Sequence, residues 1–343
     1  MNGDASMKEA WLYERLDKGR VRCHLCAHRC AIADGKRGIC GVRENDGGAL
    51  RSLVYGRPIS QAVDPIEKKP LFHFYPGSTS YSIATVGCNF RCRFCQNADI
   101  SQVPHDTGRI EGGSASPEKV VANARKGGCR SISYTYTEPT IFFEYARDIA
   151  VLAHQAGLAN NYVTNGYMTG EMLEAFYPYL DAANVDLKAF RDAFYREQCG
   201  AHLEPVLRSL RLMKQMGIWV EVTTLVIPGL NDDPGELREL AAFIAGDLGA
   251  ETPWHVSRFH PTYRLTDRDS TPVRTLEEAW GIGKDAGLRY VYVGNMWGAQ
   301  GESTACYNCG KRIIGRVGFT VRDWHIKDGR CEFCGTAIDG VGL

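Results

Sequence analysis

Three cysteines in the first third of the chain have the spacing of a reactive metal centre. Cys88, Cys92 and Cys95 form a C-x3-C-x2-C segment. Thiolates are the usual protein ligands of iron–sulfur clusters, and three thiolates leave one iron of a four-iron cluster without a protein donor. Catalysis at a metal requires such an open coordination position. The segment therefore predicts a catalytic [4Fe-4S] cluster, and the alternative is a zinc knuckle with a distant fourth ligand.

Two further groups contain four cysteines each, and four thiolates close a coordination sphere. The C-terminal group has two C-x2-C pairs, each followed by glycine, and predicts a structural zinc site, with an electron-relaying iron site as the alternative. The N-terminal group fits an auxiliary [4Fe-4S] cluster or a structural zinc equally well, and His24 and His28 are further candidate ligands there. The groups are Cys306, Cys309, Cys331 and Cys334, and Cys23, Cys26, Cys30 and Cys40.

The elements that must position the triad alternate between short apolar strands and amphipathic helices. Such alternation predicts an α/β fold with a parallel sheet and right-handed crossovers, and six or seven units favour a barrel or open barrel. Chemistry in such barrels lies at the C-terminal ends of the strands, and the triad directly follows the first predicted strand. We predict strands over residues 81–86, 130–136, 160–164, 183–187, 219–227, 253–259 and 290–294.

The flanks of this region differ from it in composition and length. Residues 1–80 are predicted to form an N-terminal cysteine-rich segment with a Pro- and Lys-rich connector, and residues 81–299 to form the barrel. Residues 300–343 are predicted to form a four-cysteine module of the zinc-ribbon or rubredoxin type. Segments as short as the two flanks rarely build a core alone, so we expect metal ions to hold them together.

The composition excludes several functional classes. In the 343-residue chain, 40 Lys and Arg residues balance 40 Asp and Glu residues. Without net charge or runs of like charge, we expect neither a nucleic-acid-binding surface nor a membrane-binding patch. No long apolar stretch and no secretory signal is present, which predicts a cytoplasmic protein. In a reducing compartment, the clustered majority of the 13 cysteines is expected to bind metals rather than to form disulfides.

The triad loop after the first strand of an α/β barrel resembles that of the radical S-adenosylmethionine (SAM) superfamily. From about residue 20 to residue 335, the chain resembles AmmeMemoRadiSam-system radical SAM enzymes, which are relatives of the pyruvate formate-lyase activating enzyme. The resemblance implies a partial (β/α)6-type TIM barrel with small cysteine-rich metal-binding modules at both ends. The matching stretches are residues 23–30, 38–43, 64–71, 73–77, 87–97 and 254–261.

This resemblance also implies an activity. In the family, SAM chelates the open iron, an electron from the cluster cleaves its sulfonium bond, and the resulting 5′-deoxyadenosyl radical abstracts hydrogen from a substrate. The substrate here would be an unidentified protein, peptide or small molecule, and the electron donor a flavodoxin or ferredoxin. One alternative is an activating enzyme that installs a glycyl radical in a partner enzyme. A non-catalytic zinc-binding adaptor is the remote alternative.

Residues at the ends of successive strands match the family's SAM-binding positions. Glu138 is expected to accept a hydrogen bond from the SAM amino group, and Phe94 to pack on the adenine. Several of these positions also have a plain structural explanation: Glu138 would open a helix, and an Asp186–Lys188 ion pair would end a strand. Asn165-Gly166 and Pro228-Gly229 would be ordinary turns. The remaining candidates, which end the third, fourth and fifth strands, are Asn165, Asp186, Lys188 and Ile227.

The candidate substrate-handling residues are a group on and just after the sixth predicted strand, together with one isolated cysteine. His260 and Arg258, with His255 and Tyr263 nearby, are candidates to bind an anionic or peptide substrate or to relay protons. The alternative is that His255 packs in the core and Arg258 pairs with a surface acid. Cys199 is a candidate hydrogen donor.

Overall fold

Small antiparallel sheets form around the first cysteine group. The computed structural model describes residues 7–296 and 301–343. The first six strands are β1 (Lys8–Glu9), β2 (Tyr13–Arg15), β3 (Val21–Cys23), β4 (Ala31–Ile32), β5 (Arg43–Asp46) and β6 (Ala49–Ser52). One three-stranded sheet has the order β1-β6-β5, and the other has the order β2-β3-β4. Arg43 of β5 forms a buried ion pair with Glu144, 2.7 Å long, which fastens this region to the rest of the chain.

Eight strands then form the main sheet, in an order that follows the chain. They are β7 (Ser60–Pro65), β8 (Thr79–Ala84), β9 (Ser131–Tyr134), β10 (Ala159–Thr164), β11 (Ala182–Asp186), β12 (Trp219–Val226), β13 (Trp254–Arg258) and β14 (Val291–Gly294). Strands β8 to β14 pair in parallel, whereas β7 pairs antiparallel with β8. Within the described residues β7 and β14 are the two edges, so the barrel is open.

This sheet confirms the predicted α/β fold. All seven predicted strands are present within two residues of their predicted bounds. The prediction lacks β7, which falls inside the predicted N-terminal segment. Its sequence, Ser-Gln-Ala-Val-Asp-Pro, has too few apolar residues to stand out as a strand. It is held by pairing with β8 at the sheet edge, a contact that no local pattern encodes.

The helices occupy the predicted connections. They are α1 (Ala98–Ser101), α2 (Val103–Asp106), α3 (Pro117–Lys126), α4 (Phe143–Gln155), α5 (Gly170–Phe176), α6 (Asp192–Phe194), α7 (Leu203–Gln215), α8 (Pro234–Phe243) and α9 (Val273–Asp285). Ser116 caps α3, because its Oγ accepts a hydrogen bond from the Lys119 amide. Short 3-10 segments cover Ile66–Lys68, Pro139–Phe142 and Tyr177–Tyr179, and π-helical turns cover Tyr195–Cys199 and Ile244–Leu248. None of the described helices combines the length and apolar character needed to cross a membrane.

A buried carboxylate closes the N-terminal end of the barrel. Glu221, near the start of β12, accepts hydrogen bonds from the backbone amides of Phe72 and His73 at 2.9 and 2.8 Å. His255 of β13 adds a 2.7 Å contact from its Nε2 atom. The connector between β7 and β8 is thereby held across this end of the sheet. The opposite end, where the strands finish, is left for the triad loop.

The C-terminal module consists of two small sheets that pack against the last barrel strand. Its strands are β15 (Thr304–Ala305), β16 (Arg312–Val317), β17 (Thr320–Trp324), β18 (Ile326–Lys327) and β19 (Arg330–Cys331). They form a three-stranded sheet, β15-β16-β17, and a two-stranded sheet, β18-β19. Tyr290 and Tyr292 at the last barrel strand share one buried apolar cluster with Ile313 and Ile314.

Candidate active site

The triad lies on the loop between β8 and α1, at the C-terminal ends of the parallel strands. None of its three thiols is in a disulfide. The Cys88 Sγ accepts a hydrogen bond from the Phe90 amide at 3.3 Å, and the Cys95 Sγ lies 3.1 Å from the Ser101 hydroxyl. The loop is anchored across the barrel mouth, because the amides of Arg91 and Arg93 donate to the carbonyls of Cys199 and Gln198. These contacts hold the three thiols at one site.

The spacing of the thiols fits a group larger than one metal ion. Tetrahedral coordination with metal–sulfur bonds of about 2.3 Å places the sulfur atoms about 3.8 Å apart. No three ligand atoms around the triad lie within 4.8 Å of one another among the described residues. The Asn89 side chain, next to Cys88, also has a buried Nδ2 that lacks a partner in the described part of the chain. A bound cluster offers sulfur acceptors to such a donor.

Cys92 differs from its two neighbours in ionisation. The Cys199 thiol hydrogen-bonds to Cys92 and lowers the pKa of Cys92, and the Lys188 ammonium acts in the same direction. Burial instead raises the pKa of Cys88 and of Cys95. The thiolate is the ligand form of cysteine. The surroundings of Cys92 therefore favour its ligand form, whereas burial disfavours the ligand form of Cys88 and Cys95.

Glu138 is buried at the end of β9 and has several intramolecular donors. Its Oε1 accepts hydrogen bonds from the Thr140 amide, the Thr140 hydroxyl and the Thr164 hydroxyl. It thus opens the 3-10 segment that begins at Pro139, which is the plain structural role given above as the alternative. The Oε2 atom accepts only the Asn165 amide, at 2.8 Å, among the described residues. A free lone pair remains there, and the contact with the SAM amino group stays a prediction.

The other residues predicted to bind SAM surround the triad. The Asn165 Nδ2 donates to the Asn89 Oδ1 at 2.7 Å and lies 3.9 Å from the Cys88 Sγ. Lys188 forms the predicted ion pair with Asp186, 2.9 Å long, and its Nζ lies 5.9 Å from the centre of the Phe94 ring. Phe94 is buried against Phe194. The structure therefore gathers the ends of β10 and β11 at the triad.

Ile227 is connected to this group by a residue that the sequence analysis did not select. The Asn231 Oδ1 accepts the Ile227 amide at 2.6 Å, and the Asn231 Nδ2 donates to the Lys188 carbonyl, also at 2.6 Å. Asn231 is buried, so both ends of its amide tie two loops together. An asparagine four residues after a strand-ending isoleucine resembles an ordinary turn residue, and its role follows only from these long-range contacts.

The three predicted catalytic residues have different surroundings. Cys199 is fully buried and contacts Cys92, so the structure brings it to the site. Arg258 donates from Nε to the Thr271 carbonyl at 2.9 Å rather than to a surface acid. His260 is exposed, and its Nδ1 lies 3.0 Å from the Ser270 hydroxyl. The roles predicted for these residues stay predictions.

His255 and Tyr263, which were predicted to lie near these residues, also differ in their surroundings. His255 is buried against Glu221 at the N-terminal end of the barrel. It has the core position given above as the alternative to a substrate-handling role. Tyr263 has a positive φ of 50° and donates from its hydroxyl to Asp106 at 3.1 Å. The following Arg264 amide donates to the Arg93 carbonyl, so this turn lies directly against the triad loop.

The buried ion pair between Lys69 and Asp64 was not predicted from the sequence. Lys69 is almost fully buried, its Nζ lies 2.8 Å from Asp64, and burial lowers the pKa of Lys69 to about 8. Tyr136, which has a positive φ of 65°, hydrogen-bonds the same carboxylate, and the Lys69 Nζ lies 4.2 Å from its ring centre. The Lys-Lys-Pro run of the connector was the available signal, but a lysine in a connector is normally exposed.

The C-terminal cysteines have the geometry of a single tetrahedral metal site. All four Sγ atoms lie within 4.8 Å of one another, and the pairs Cys306–Cys334 and Cys309–Cys331 are 3.7 and 3.8 Å apart. These values match the tetrahedral edge of about 3.8 Å. The four cysteines predicted from the sequence to bind a metal are thus gathered at one site, and the bound metal stays a prediction. Zinc and a single iron fit this geometry equally.

Loss of this metal is expected to unfold the module but not the barrel. In Cys309→Ala, about one metal ion per chain should be lost, because three thiolates no longer close the site. Proteolysis within residues 301–343 should accelerate by about tenfold or more, since metal binding supplies folding energy to such small modules. Metal analysis and limited proteolysis with mass spectrometry measure both effects. Cys129→Ala, at a buried cysteine outside all three groups, should change neither, and an unchanged metal content in Cys309→Ala would refute the assignment.

Comparisons with known proteins agree with this geometry. A family model described as the radical SAM superfamily matches residues 82–241. "Uncharacterized protein MJ0808" of Methanocaldococcus jannaschii is 48% identical to this chain over 98% of the chain and 100% of that protein. The pyruvate formate-lyase-activating enzyme of Clostridium pasteurianum is 25% identical over 53% of this chain and 80% of that enzyme.

A solved structure supports the same fold. The crystal structure of a radical SAM methyltransferase from Sphaerobacter thermophilus matches with a TM-score of 0.53 and 16% sequence identity. The match covers 90% of this chain and 81% of that one. At this level of identity the likeness concerns the fold, and it confirms the predicted barrel type.

Proposed function

Since this chain belongs to the radical SAM superfamily and is therefore a SAM-cleaving enzyme, we propose that its radical acts on a protein or peptide substrate. The homology to an activating enzyme named for its protein target supports this substrate class. A glycyl radical activating enzyme is the more specific form of the same proposal. The observation that carries the proposed site is the three-thiol loop at the barrel mouth, with the ends of β10 and β11 beside it.

We assign the cluster of this family to Cys88, Cys92 and Cys95. Radical SAM chemistry uses a [4Fe-4S] cluster and SAM, which together supply one-electron cleavage of SAM and a 5′-deoxyadenosyl radical for hydrogen abstraction. Sulfur donors with wide mutual spacing and a buried amide donor at Asn89 fit such a cluster. Cys199 and Lys188 favour the ionised form of Cys92. The three thiols occupy three positions and leave one for SAM.

SAM binding is assigned to polar groups around this loop. The proposed partner of the SAM amino group is Glu138, whose Oε2 retains a lone pair in the described structure. The Asp186–Lys188 pair and Asn165 lie close enough to the triad to contact the rest of the molecule. Phe94 and Ile227 are proposed to flank the adenine, because both are apolar residues of loops that meet at Lys188.

Substrate and electron donor are proposed to approach the same end of the barrel. Arg258 and His260 follow β13, and exposed His260 is available to an anionic or peptide substrate. Cys199 is proposed as a hydrogen donor or, through its contact with Cys92, as a positioning residue. A flavodoxin or ferredoxin is the proposed reductant. We further propose that the chain belongs to the AmmeMemoRadiSam branch and has the domain bounds predicted above. A cytoplasmic location is proposed because the many thiols of the chain need a reducing compartment.

Replacement of Glu138 tests the assignment of the SAM amino group. In Glu138→Gln, the KM for SAM should rise by roughly 10- to 100-fold. This rise corresponds to the loss of a hydrogen bond to a charged group, which contributes about 1.5–3 kcal/mol. Thr140→Val is the matched control, because it removes a donor to Glu138 and leaves the carboxylate in place. Equal KM values in Glu138→Gln and the unaltered protein would contradict the assignment.

The function itself is tested by anaerobic analysis of the purified protein. Iron and acid-labile sulfide should be present, and dithionite with SAM should yield 5′-deoxyadenosine and methionine. Zinc without iron would favour the adaptor instead. Incubation with candidate glycyl radical enzymes, followed by electron paramagnetic resonance (EPR), separates the two forms of the proposal. A glycyl signal supports the activating enzyme, and its absence favours another protein or peptide substrate.

A further inference from the structure

The four N-terminal cysteines line one partly open cavity. Its remaining walls are apolar or come from the barrel, including Thr140 and Ile141 after β9. None of the four thiols forms a disulfide. Arg43, also in the wall, is neutralised by its ion pair with Glu144. Four thiols that line one largely apolar cavity form a specific metal-binding site, because the thiolate is a strong metal ligand.

The spacing of these thiols differs from that of the C-terminal group. No three of the Sγ atoms of Cys23, Cys26, Cys30 and Cys40, all of them described residues, lie within 4.8 Å of one another. In contrast, all four C-terminal Sγ atoms lie within 4.8 Å of one another, as a single tetrahedral ion requires. The same chain thus contains a narrow four-thiol site and a wide one. The three Sγ atoms of the catalytic triad likewise do not all lie within 4.8 Å of one another.

From this contrast we propose that Cys23, Cys26, Cys30 and Cys40 bind an iron–sulfur cluster rather than a zinc ion. Bridging sulfides separate the iron atoms of a cluster, so its thiolate ligands stand further apart than those of one ion. Four thiolates complete the ligand set, and this cluster leaves no position for SAM.

The neighbouring histidines are engaged elsewhere. The His28 Nε2 lies 2.8 Å from the Asn89 carbonyl, and the His24 Nδ1 lies 2.7 Å from Arg29. Neither histidine lines the cavity. The ligand set is therefore the four thiols alone.

The proposed cluster would lie next to the triad loop. Gly87, which precedes Cys88, has a φ of +100°, and a Cβ at this position would stand 3.1 Å from the Cys40 carbonyl oxygen and 2.6 Å from Val42. The contact of His28 with the Asn89 carbonyl joins the same two segments. Because the backbones touch, a reduced N-terminal cluster is positioned to pass one electron to an oxidised cluster on the triad, without a change in bonding. This redox role rests on the proposed function, whereas the presence of the cluster does not.

The test uses the full chain without the triad. In Cys88→Ala/Cys92→Ala/Cys95→Ala, anaerobic reconstitution with iron and sulfide should leave about two to four irons and a matching amount of acid-labile sulfide per chain. Adding Cys23→Ala and Cys40→Ala should remove the sulfide completely. The matched control adds Cys129→Ala to the triad variant and should keep it. Circular dichroism of each variant verifies folding.

Two results would overturn the proposal: a triad variant that contains zinc at both remaining sites and no sulfide, or sulfide that persists after Cys23 and Cys40 are replaced. If the triad variant does not fold, acid-labile sulfide in the intact protein decides, because two clusters need more than about four sulfides per chain and a single iron at the C-terminal site adds none. EPR of the fully reduced intact protein should show broadening by spin coupling that the sum of the single-site variants lacks. Spectra that simply add would refute the adjacency. Failure of SAM cleavage in the intact protein would refute only the proposed function.

Discussion

Cys92→Ala is expected to lose SAM cleavage almost completely. Cys92 is the member of the triad whose pKa is lowered, by the Cys199 thiol and the Lys188 ammonium. Its loss leaves two thiols whose pKa burial raises. Changes around a metal ligand typically cost 10- to 100-fold in affinity or activity, so loss of the ligand itself should lower the rate by more than about 100-fold. The measurement is 5′-deoxyadenosine formed from SAM and dithionite under anaerobic conditions, by chromatography.

Two comparisons make this result specific. Cys129→Ala removes a buried thiol outside the triad and should retain the rate of the unaltered protein. Cys199→Ser keeps a hydroxyl donor toward Cys92 and should lose much less than Cys199→Ala, if Cys199 acts by positioning; equal losses would indicate direct hydrogen donation. Undiminished SAM cleavage in Cys92→Ala would show that the reactive cluster is bound elsewhere.

Glu221→Ala is expected to destabilise the fold by about 3–5 kcal/mol. The substitution removes the acceptor of the Phe72 and His73 amides and the partner of His255 at once. All of these groups are buried, so they cannot recover their hydrogen bonds from water, and several buried donors left without an acceptor carry a cost of this size. Urea unfolding, followed by circular dichroism, gives the free energy of unfolding directly.

An exposed glutamate provides the control for this result. Glu239 pairs with Arg191 at the surface, and Glu239→Ala should leave the free energy of unfolding nearly unchanged, because exposed ion pairs contribute little. Burial acts to raise the pKa of Glu221, but the contacts with His255 outweigh this effect and hold that pKa below its usual value. Its stabilising effect is therefore present at neutral pH and lost as the pH falls through this lowered pKa. A difference below about 1 kcal/mol between the two alanine variants would show that the connector is held by other contacts.

Local patterns were sufficient to predict the barrel strands and the position of the triad. Each predicted strand is an apolar run between turn residues. Such a run can be recognised from the neighbouring residues alone. The triad loop followed from the same rule, because a residue after a parallel strand must lie at the C-terminal end of the sheet. Cysteine spacing likewise identified which thiols form groups.

Contacts between distant parts of the chain decided the rest. Strand β7, the Glu221 closure and the Asn231 link between two loops each depend on residues more than about ten positions apart, and no local pattern records such partners. The metal sites show the difference most clearly. Sequence spacing identified two closed sets of four cysteines, but the distances between their sulfur atoms depend on how each segment packs. The C-terminal module brings its sulfurs to 3.7–3.8 Å, whereas packing against the barrel holds the N-terminal thiols apart around a cavity.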